Sequence, residues 1–221
     1  MLLGDPGNVI YLIPAILISL SFHEFSHAFV SYKLGDPTAK NMGRLTLNPF
    51  KHLDILGTIM LLVARFGWAK PVPINPMYYR DRRKGVMLVS LAGPLSNVLL
   101  ALAFSVPMLY IQAKYGIRGA RYFDATSIMY NLSVFFYVIN INLAVFNILP
   151  VPPLDGSKIL SAVLPPSRYY KLLQYENYIA VVFLLIVFIF PGLLYKIMSP
   201  FIFVIELAVK AIAVPIVRAL L

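Results

Sequence analysis

Long apolar runs separated by short polar links make up most of this chain. A transmembrane helix needs about 20 predominantly apolar residues, and five of the runs are about that long. These runs are 9–32, 86–113, 127–149, 177–195 and 200–217. A sixth run, 55–64, has about half the required length and predicts a re-entrant hairpin or a short helix buried by protein. The pattern predicts an all-α polytopic membrane protein with five to six transmembrane helices.

Composition agrees with a membrane protein and narrows the choice of partners. The chain is 60% hydrophobic and 13% charged, and it has a net charge of +10. Such a positive charge can indicate a nucleic-acid partner, but here the basic residues lie in the links between apolar runs. In those links they would contact anionic lipid headgroups. We therefore expect a lipid bilayer as partner and no nucleic acid, and a single integral membrane domain over residues 1–221.

The basic links predict how the chain is oriented in the membrane, because cytoplasmic loops carry an excess of Lys and Arg. The cluster 80–84 and the link with Lys158, Arg168 and Lys171 should both face the cytoplasm. That arrangement requires 86–113 to lead out and 127–149 to lead back in. The basic link 33–51 shares this side only if 55–64 does not cross fully. The first helix then runs from outside to inside.

Three ionisable side chains lie inside the first apolar run, where such residues are costly and usually functional. His23, Glu24 and His27 form the pattern His-Glu-x-x-His. On a helix both imidazoles share one face, one turn apart, and can reach a single zinc ion. Glu24 can then act as general base for a water molecule that zinc activates. The alternative, three side chains that only satisfy one another in a helix bundle, accounts less well for the full pattern in an apolar helix.

A third zinc ligand is needed, because a catalytic zinc usually takes three protein ligands. The chain has no cysteine, so imidazole and carboxylate groups must supply it. His52 with Asp54 lies nearby in a polar link, whereas Asp155 follows the proline-broken end of an inward-running span at 150–153. Two full crossings bring Asp155 back to the side of the zinc motif. Backbone groups freed by prolines are tolerated at membrane depth only in a protein-lined or wet cavity.

We therefore expect Asp155 to be the ligand, although it can also be interpreted as the cap of the next helix. His52 is expected near the site, as a loop residue or a structural hydrogen-bonding group.

Two amides in apolar spans are candidates for stabilising the oxyanion of a reaction at this zinc, Asn147 and Asn97. For both, the alternative is an interhelical hydrogen bond, and for Asn97, which follows Gly93-Pro94, helix packing is the favoured role. A substrate must be extended where it is cut, and the stretches 46–47 and 70–76 look extended. A small membrane-associated β-sheet there would hold substrate by strand addition. A plain membrane-surface loop explains the prolines equally well.

These segments together resemble the site-2 protease family of intramembrane zinc metalloproteases. The likeness covers about residues 9–160. Its elements are HEFSHAF from His23, GRLTLNPFKHLDILGT from Gly43, AGPLSN from Ala92 and NILPVPPLDGSKIL from Asn147.

The resemblance implies one zinc bound by His23, His27 and Asp155, a catalytic Glu24, and a core of three helices that carry the zinc motif, Asn97 and Asp155. The chain is similar to a minimal form of the family, without an inserted PDZ domain or a helix before the zinc motif. It also has Asp54-Ile55 where many relatives have Asp-Pro, so the bend expected there lacks its usual proline.

The expected function is that of a zinc endopeptidase in a prokaryotic plasma membrane. It would hydrolyse peptide bonds within or near the transmembrane segment of a single-span membrane protein, with its active site in the cytoplasmic half of the bilayer. The alternative is a non-proteolytic scaffold or an ion-relay transporter that uses the same polar residues. A transporter should show paired halves with matching broken helices, and the sequence shows one such break, near Pro150.

Overall fold

The computed structural model describes residues 6–64, 67–116 and 124–221, which form helices joined by loops. The α-helices are α1 (Val9–Lys33), α2 (Thr38–Asn41), α3 (Ile55–Ala64), α4 (Arg82–Tyr115), α5 (Ala125–Ile148), α6 (Asp155–Val163), α7 (Pro166–Gln174), α8 (Glu176–Ile189) and α9 (Pro191–Leu220). Short 3-10 turns cover Pro6–Asn8, Pro49–Lys51 and Pro76–Tyr78. Within these ranges there is no β-strand, and one isolated antiparallel bridge joins Leu53 to Ala69. The all-α prediction is confirmed, but the described residues do not form the small β-sheet.

Four of the described helices, α1, α4, α5 and α9, are long and apolar enough to cross a membrane. The bent pair formed by α7 and α8 makes a fifth span if its two parts count as one. The predicted runs 9–32, 86–113 and 127–149 correspond to α1, α4 and α5. The chain is thus an integral membrane protein with several spans.

The last two predicted spans divide at a different place from the one expected. The sequence pattern put the break between residues 195 and 200, whereas α8 ends at Ile189 and α9 begins at Pro191. Pro191 lies at the start of a helix, where the missing N–H has no intrahelical partner to lose. Pro200, expected to begin a span, lies inside α9. At 14 residues, α8 is about 21 Å long and too short to cross alone.

The short apolar run forms the ten-residue helix α3, which at about 15 Å cannot span the bilayer. A backbone hydrogen bond joins the two segments that flank this helix, since the N–H of Lys70 donates to the oxygen of His52 at 2.8 Å. The predicted burial by protein is wrong for its first turn, since Ile55 and Leu56 are 83% and 59% exposed. In a membrane protein such apolar side chains face lipid.

Helix α4 lies at the centre of the bundle and packs against α1, α5, α6 and α9. One apolar cluster joins α4, α5 and α9 around Ala101, Ile141 and Val209. A second joins α1 to α5 through Ala15 and Phe135. Between α1, α4 and α5 the interior also contains fully buried polar side chains, and these surround the candidate site.

The three basic links lie at one end of the bundle. Ser31 Oγ, near the end of α1, is 2.7 Å from Tyr79 Oη, just before α4. Arg83, in the first turn of α4, donates to the carbonyl oxygen of Leu164 at 2.6 Å. The end of α1, the basic cluster before α4 and the link after α6 therefore meet on the same side, the arrangement that the crossing count required.

Candidate metal centre

Three side chains from two distant parts of the chain converge on one point in the interior. Asp155 Oδ2 lies 3.1 Å from His23 Nε2 and 3.0 Å from His27 Nε2. The two Nε2 atoms are 3.0 Å apart. Tetrahedral zinc with bonds of 2.0–2.1 Å places its ligand atoms about 3.3 Å from one another. The three side chains are buried and together form a group that could hold a metal ion.

The local fold explains how Asp155 reaches the histidines. Helix α5 ends at Ile148, and α6 begins with Asp155 itself, so the carboxylate lies in the first turn of a new helix. The next residue, Gly156, lies against the end of α5. A Cβ atom there would collide with the carbonyl oxygens of Ile148 and Leu149. Glycine at 156 thus allows the tight corner that holds Asp155 in place.

Helix α4 forms the wall behind the histidines, and Gly93 is the residue that faces them. A Cβ atom at this position would lie 2.5 Å from His27 Nε2 and 2.6 Å from His23 Nε2. Real side chains do not tolerate such contacts. Only glycine lets α4 approach α1 this closely, so this part of α4 has the helix-packing role that the sequence suggested after Gly93-Pro94.

A chain of buried amides fixes the orientation of the His23 ring. Asn140 Nδ2 donates to the carbonyl oxygen of Phe136 at 2.8 Å and to Ser19 Oγ at 2.7 Å. Its oxygen therefore faces Asn97, whose Nδ2 donates to it at 2.8 Å. The oxygen of Asn97 is then left to accept the hydrogen bond from His23 Nδ1 at 2.7 Å. This bond places the proton on Nδ1 and leaves the Nε2 lone pair facing the centre.

His27 is oriented in the same way by a backbone acceptor. Its Nδ1 lies 2.7 Å from the carbonyl oxygen of Val89, which can only accept a hydrogen bond. The Nε2 lone pairs of both rings thus point at the same place as a carboxylate oxygen of Asp155. A single proton can serve only one of these three short contacts. Three converging acceptors with a buried negative charge need a cation, and the nitrogen and oxygen donor set fits zinc.

Glu24 lies next to this group without belonging to it. Its Oε2 accepts a hydrogen bond of 2.9 Å from the backbone N–H of Val72, in the extended segment before α4. Lys158, one turn after Asp155, brings its Nζ to 3.6 Å from the second carboxylate oxygen of that residue. Among the described residues, the three candidate ligands thus have the Glu24 carboxylate next to them. The Lys158 ammonium group lies near the second carboxylate oxygen of Asp155.

The structure separates His52 and Asp54 from the candidate centre. His52 is buried, and its Nε2 donates to the oxygen of Thr46 at 2.8 Å. Asp54 Oδ1 accepts from the N–H of Gly57 at 2.8 Å, at the start of α3. Both residues therefore bond within the link 44–70, as structural hydrogen-bonding groups do.

The two amides proposed for the oxyanion have different surroundings. Asn147 donates to the oxygen of Leu143 in its own helix at 2.9 Å. Asn97 is fully buried, and its oxygen and Nδ2 bond to His23 and Asn140. The sequence analysis did not single out Asn140. Like Asn97, it is an amide within an apolar span, and that signal could have identified it. The part of either amide in an oxyanion interaction stays a prediction.

A buried carboxylate also fixes the loop that follows α1, outside the membrane-spanning helices. Burial raises the pKa of Asp36, but hydrogen bonds from Thr38, Asn75 and Ser31 outweigh burial and hold the pKa below its ordinary value. The Asp36 carboxylate therefore stabilises this junction at neutral pH. That stabilisation is lost as the pH falls through the lowered pKa.

Comparison with known proteins places the chain in a family. The model of peptidase family M50 matches residues 120–190, a range that includes Asp155. The Bacillus subtilis protein named "Putative zinc metalloprotease YwhC" is 44% identical over 184 residues, which cover 82% of this chain and 81% of the relative.

Two mycobacterial proteins with the name "Putative zinc metalloprotease Rip2" are also similar. The one from Mycolicibacterium smegmatis is 32% identical over 73% of this chain and 60% of its own length. The one from Mycobacterium tuberculosis is 32% identical over 86% of this chain and 71% of its own length. No solved structure matches the chain. The extent and identity of these matches show that the chain belongs to peptidase family M50, the site-2 protease family of zinc metalloproteases.

Proposed function

We propose that this zinc metalloprotease is an intramembrane endopeptidase, which cuts a single-span membrane protein within or near its transmembrane segment. The observation that carries the proposal is the depth of the candidate centre. His27 and His23 precede the end of α1 at Lys33 by six and ten residues, or about 9 and 15 Å. In a hydrocarbon core of about 30 Å with the end of α1 at its edge, the centre lies between that edge and the midplane.

The proposed roles follow from the geometry of the site. His23, His27 and Asp155 would hold zinc, which when bound supplies the Lewis-acid chemistry that activates water near neutral pH. Glu24 accepts the proton of the attacking water on its carboxylate and passes it to the leaving amine nitrogen. Asn97 and Val89 keep the two imidazoles in the tautomer that binds metal.

The basic links support a position for this site in the cytoplasmic half of a prokaryotic plasma membrane. They meet at the end of the bundle that is nearer to His27, and basic loops remain on the cytoplasmic side. We also propose that the described helices form one domain, with the catalytic core at about 9–160 and two C-terminal helices at about 176–218. Helix α4 supports this, since it packs against α1, α5 and α9 alike.

Cleavage by purified protein in liposomes tests the catalytic role of Glu24. The parent, loaded with one zinc per chain, should cut a co-reconstituted single-span substrate. Glu24→Gln should bind the same amount of zinc but lose about 100-fold or more in rate, because the amide cannot accept the proton. If Glu24→Gln cuts as fast as the parent, the proposed mechanism is wrong.

Zinc content of two further variants tests the ligand set. Asp155→Ala should lose zinc after dialysis against a weak chelator, because it removes one of three converging ligands. His52→Ala is the matched control, a buried histidine that bonds within its own link. It should keep its zinc even if its stability falls. Retention of zinc by Asp155→Ala, together with its loss in His52→Ala, would reverse the assignment.

A further inference from the structure

The hydrogen bond between Val72 and Glu24 joins a backbone atom to the proposed general base. The donor is the N–H of Val72, and it lies 2.9 Å from Glu24 Oε2. Val72 lies between Pro71 and Pro73. Proline has no backbone N–H, so Val72 supplies the one backbone donor in the stretch 71–73. The donor that faces the catalytic carboxylate is thus defined by the sequence Pro-Val-Pro.

The segment around Val72 is fixed on its N-terminal side by a buried arginine and a backbone bond. Lys70 donates its N–H to the oxygen of His52 at 2.8 Å. The oxygen of Lys70 accepts from Arg44 Nη2 at 2.6 Å. The Arg44 side chain is buried, and a guanidinium is costly to bury unless it makes such bonds. The motif that begins at Gly43 therefore fixes the backbone two residues before Val72.

A second anchor fixes the segment on its C-terminal side. The N–H of Asn75 donates to Asp36 Oδ2 at 2.7 Å, and Asp36 is fully buried. The Val72 side chain itself packs with Ala28 and Ala39. With a hydrogen-bonded anchor on each side and a buried side chain, the Val72 N–H is held in a defined position relative to α1.

We propose that the backbone amide of Val72 is a positioning group for Glu24, which orients its carboxylate for proton transfer. The proposal rests on the proposed function of Glu24 as general base. The terminal torsion of a glutamate side chain has broad, roughly two-fold minima, so the carboxylate has little orientation of its own. A donor fixed at Oε2 selects one orientation and leaves Oε1 to accept the proton. Arg44 and Asp36 act through this segment by holding the donor in place.

The test compares Val72→Pro with Val72→Ala. Both variants lose the valine side chain, but only proline removes the N–H. Residue 72 already precedes a proline, which restricts it to the extended region that proline also adopts. We expect Val72→Pro to lower kcat roughly 10- to 100-fold, the effect of losing one hydrogen bond to a charged group. KM and zinc content should stay near those of the parent, and kcat should be roughly 10-fold or more below that of Val72→Ala, which keeps the N–H.

Nuclear magnetic resonance of protein labelled with 15N-valine checks the bond itself, including the case in which Val72→Pro fails to fold. Val72→Ala identifies the signal by removing it. A hydrogen bond to a carboxylate deshields the amide proton, so the Val72 signal should move upfield in Glu24→Ala, which removes the acceptor. A Val72 signal that stays in place would overturn the proposal.

The outcomes for the two hypotheses are distinct. If Glu24→Gln is inactive and Val72→Pro cuts as fast as Val72→Ala, the positioning role is wrong and the protease mechanism stands. If Glu24→Gln cuts at the rate of the parent, the proposed role of Glu24 itself fails. Equal losses of kcat in Val72→Pro and Val72→Ala would assign the effect to side-chain packing and refute the role of the amide.

Discussion

Gly93 lies directly behind the two histidine rings, and its lack of a side chain sets how closely α4 approaches α1. A Cβ atom would contact the Nε2 atoms that face the candidate metal position, at 2.5 and 2.6 Å. Helix α4 cannot move away without breaking the bond from His27 Nδ1 to Val89, four residues earlier on α4. A methyl group at this position must therefore displace the candidate ligands themselves.

We expect Gly93→Ala to weaken zinc binding by 10-fold or more while the protein still inserts and folds. The reason is that the rings must turn away from the methyl group, which separates their nitrogen atoms from Asp155. Gly192→Ala is the matched control, because a Cβ atom at that position of α9 has no neighbour within 4 Å. Competition with a chelator of known affinity measures both variants. Equal affinities would show that the rings adapt without loss.

Single residues differ in how far the sequence predicts their part in the site. The spacing of His23 and His27 predicts a shared face, and crossing parity with the proline break predicts that Asp155 reaches it. The Val72 donor carried no side-chain signal, since any residue other than proline has an N–H. Its position depends on Arg44 and Asp36, which lie 28 and 36 residues before Val72 in the sequence. That part of the site needs tertiary structure.

At the scale of elements, polar contacts join α1, α4 and α5 where apolar packing alone gives weak specificity in lipid. Asn140 on α5 bonds to Asn97 on α4, which in turn bonds to His23 on α1. The Asn140 end of this series of hydrogen bonds is fixed by the carbonyl oxygen of Phe136. The helix interface thus also sets the orientation of a candidate ligand, in the manner of outer-shell groups at metal sites.

We expect Asn140→Leu to lower zinc affinity roughly 10- to 100-fold, as the loss of outer-shell partners does elsewhere. Without Asn140, the Asn97 amide is free to turn over and present its NH2 group to His23. The matched control is Asn142→Leu, since the Asn142 side chain bonds only to Val138 in its own helix among the contacts described. Isothermal titration of the metal-free proteins measures both affinities. A similar loss in the two variants would make the effect one of stability.

The helices themselves were largely predictable from sequence, and the exception has a physical cause. Apolar runs predicted α1, α4 and α5 within a few residues. The predicted break between α8 and α9 was wrong because either of two prolines could begin the last helix. Pro191 lies in the first turn of α9, whereas Pro200 lies inside that helix. Membrane helices tolerate an internal proline more readily than soluble helices do. The pattern of apolar residues and prolines in the sequence does not show which of the two prolines begins the helix.

At the scale of the whole molecule, charge is distributed unevenly between the two ends of the bundle. The basic links around Lys33, 80–84 and 158–171 meet at one end. Lys114 lies near the other end of α4, where that helix leads away from the basic cluster. We expect this asymmetry to orient the protein, because basic segments resist translocation.

Single-cysteine labelling tests the orientation, and the chain has no native cysteine to interfere. We expect Lys114→Cys to react with a membrane-impermeant maleimide added to intact spheroplasts. Lys84→Cys and Lys171→Cys should react only after permeabilisation. All three side chains are exposed in the structure, so a difference in labelling reports the side of the membrane. Reaction of Lys84→Cys in intact spheroplasts would reverse the proposed topology.

The distance along the chain between the ligands has a consequence for biosynthesis. Asp155 follows His23 by 132 residues, and ribosomes add about 5–20 residues per second. The histidines are therefore in place roughly 7 to 26 seconds before the carboxylate is made. During that interval α1 has two of the three proposed metal ligands, and the corner at Gly156 does not yet exist. A nascent chain in the membrane thus has an incomplete centre, and under the proposed function it cannot cut neighbouring proteins until α6 has been synthesised.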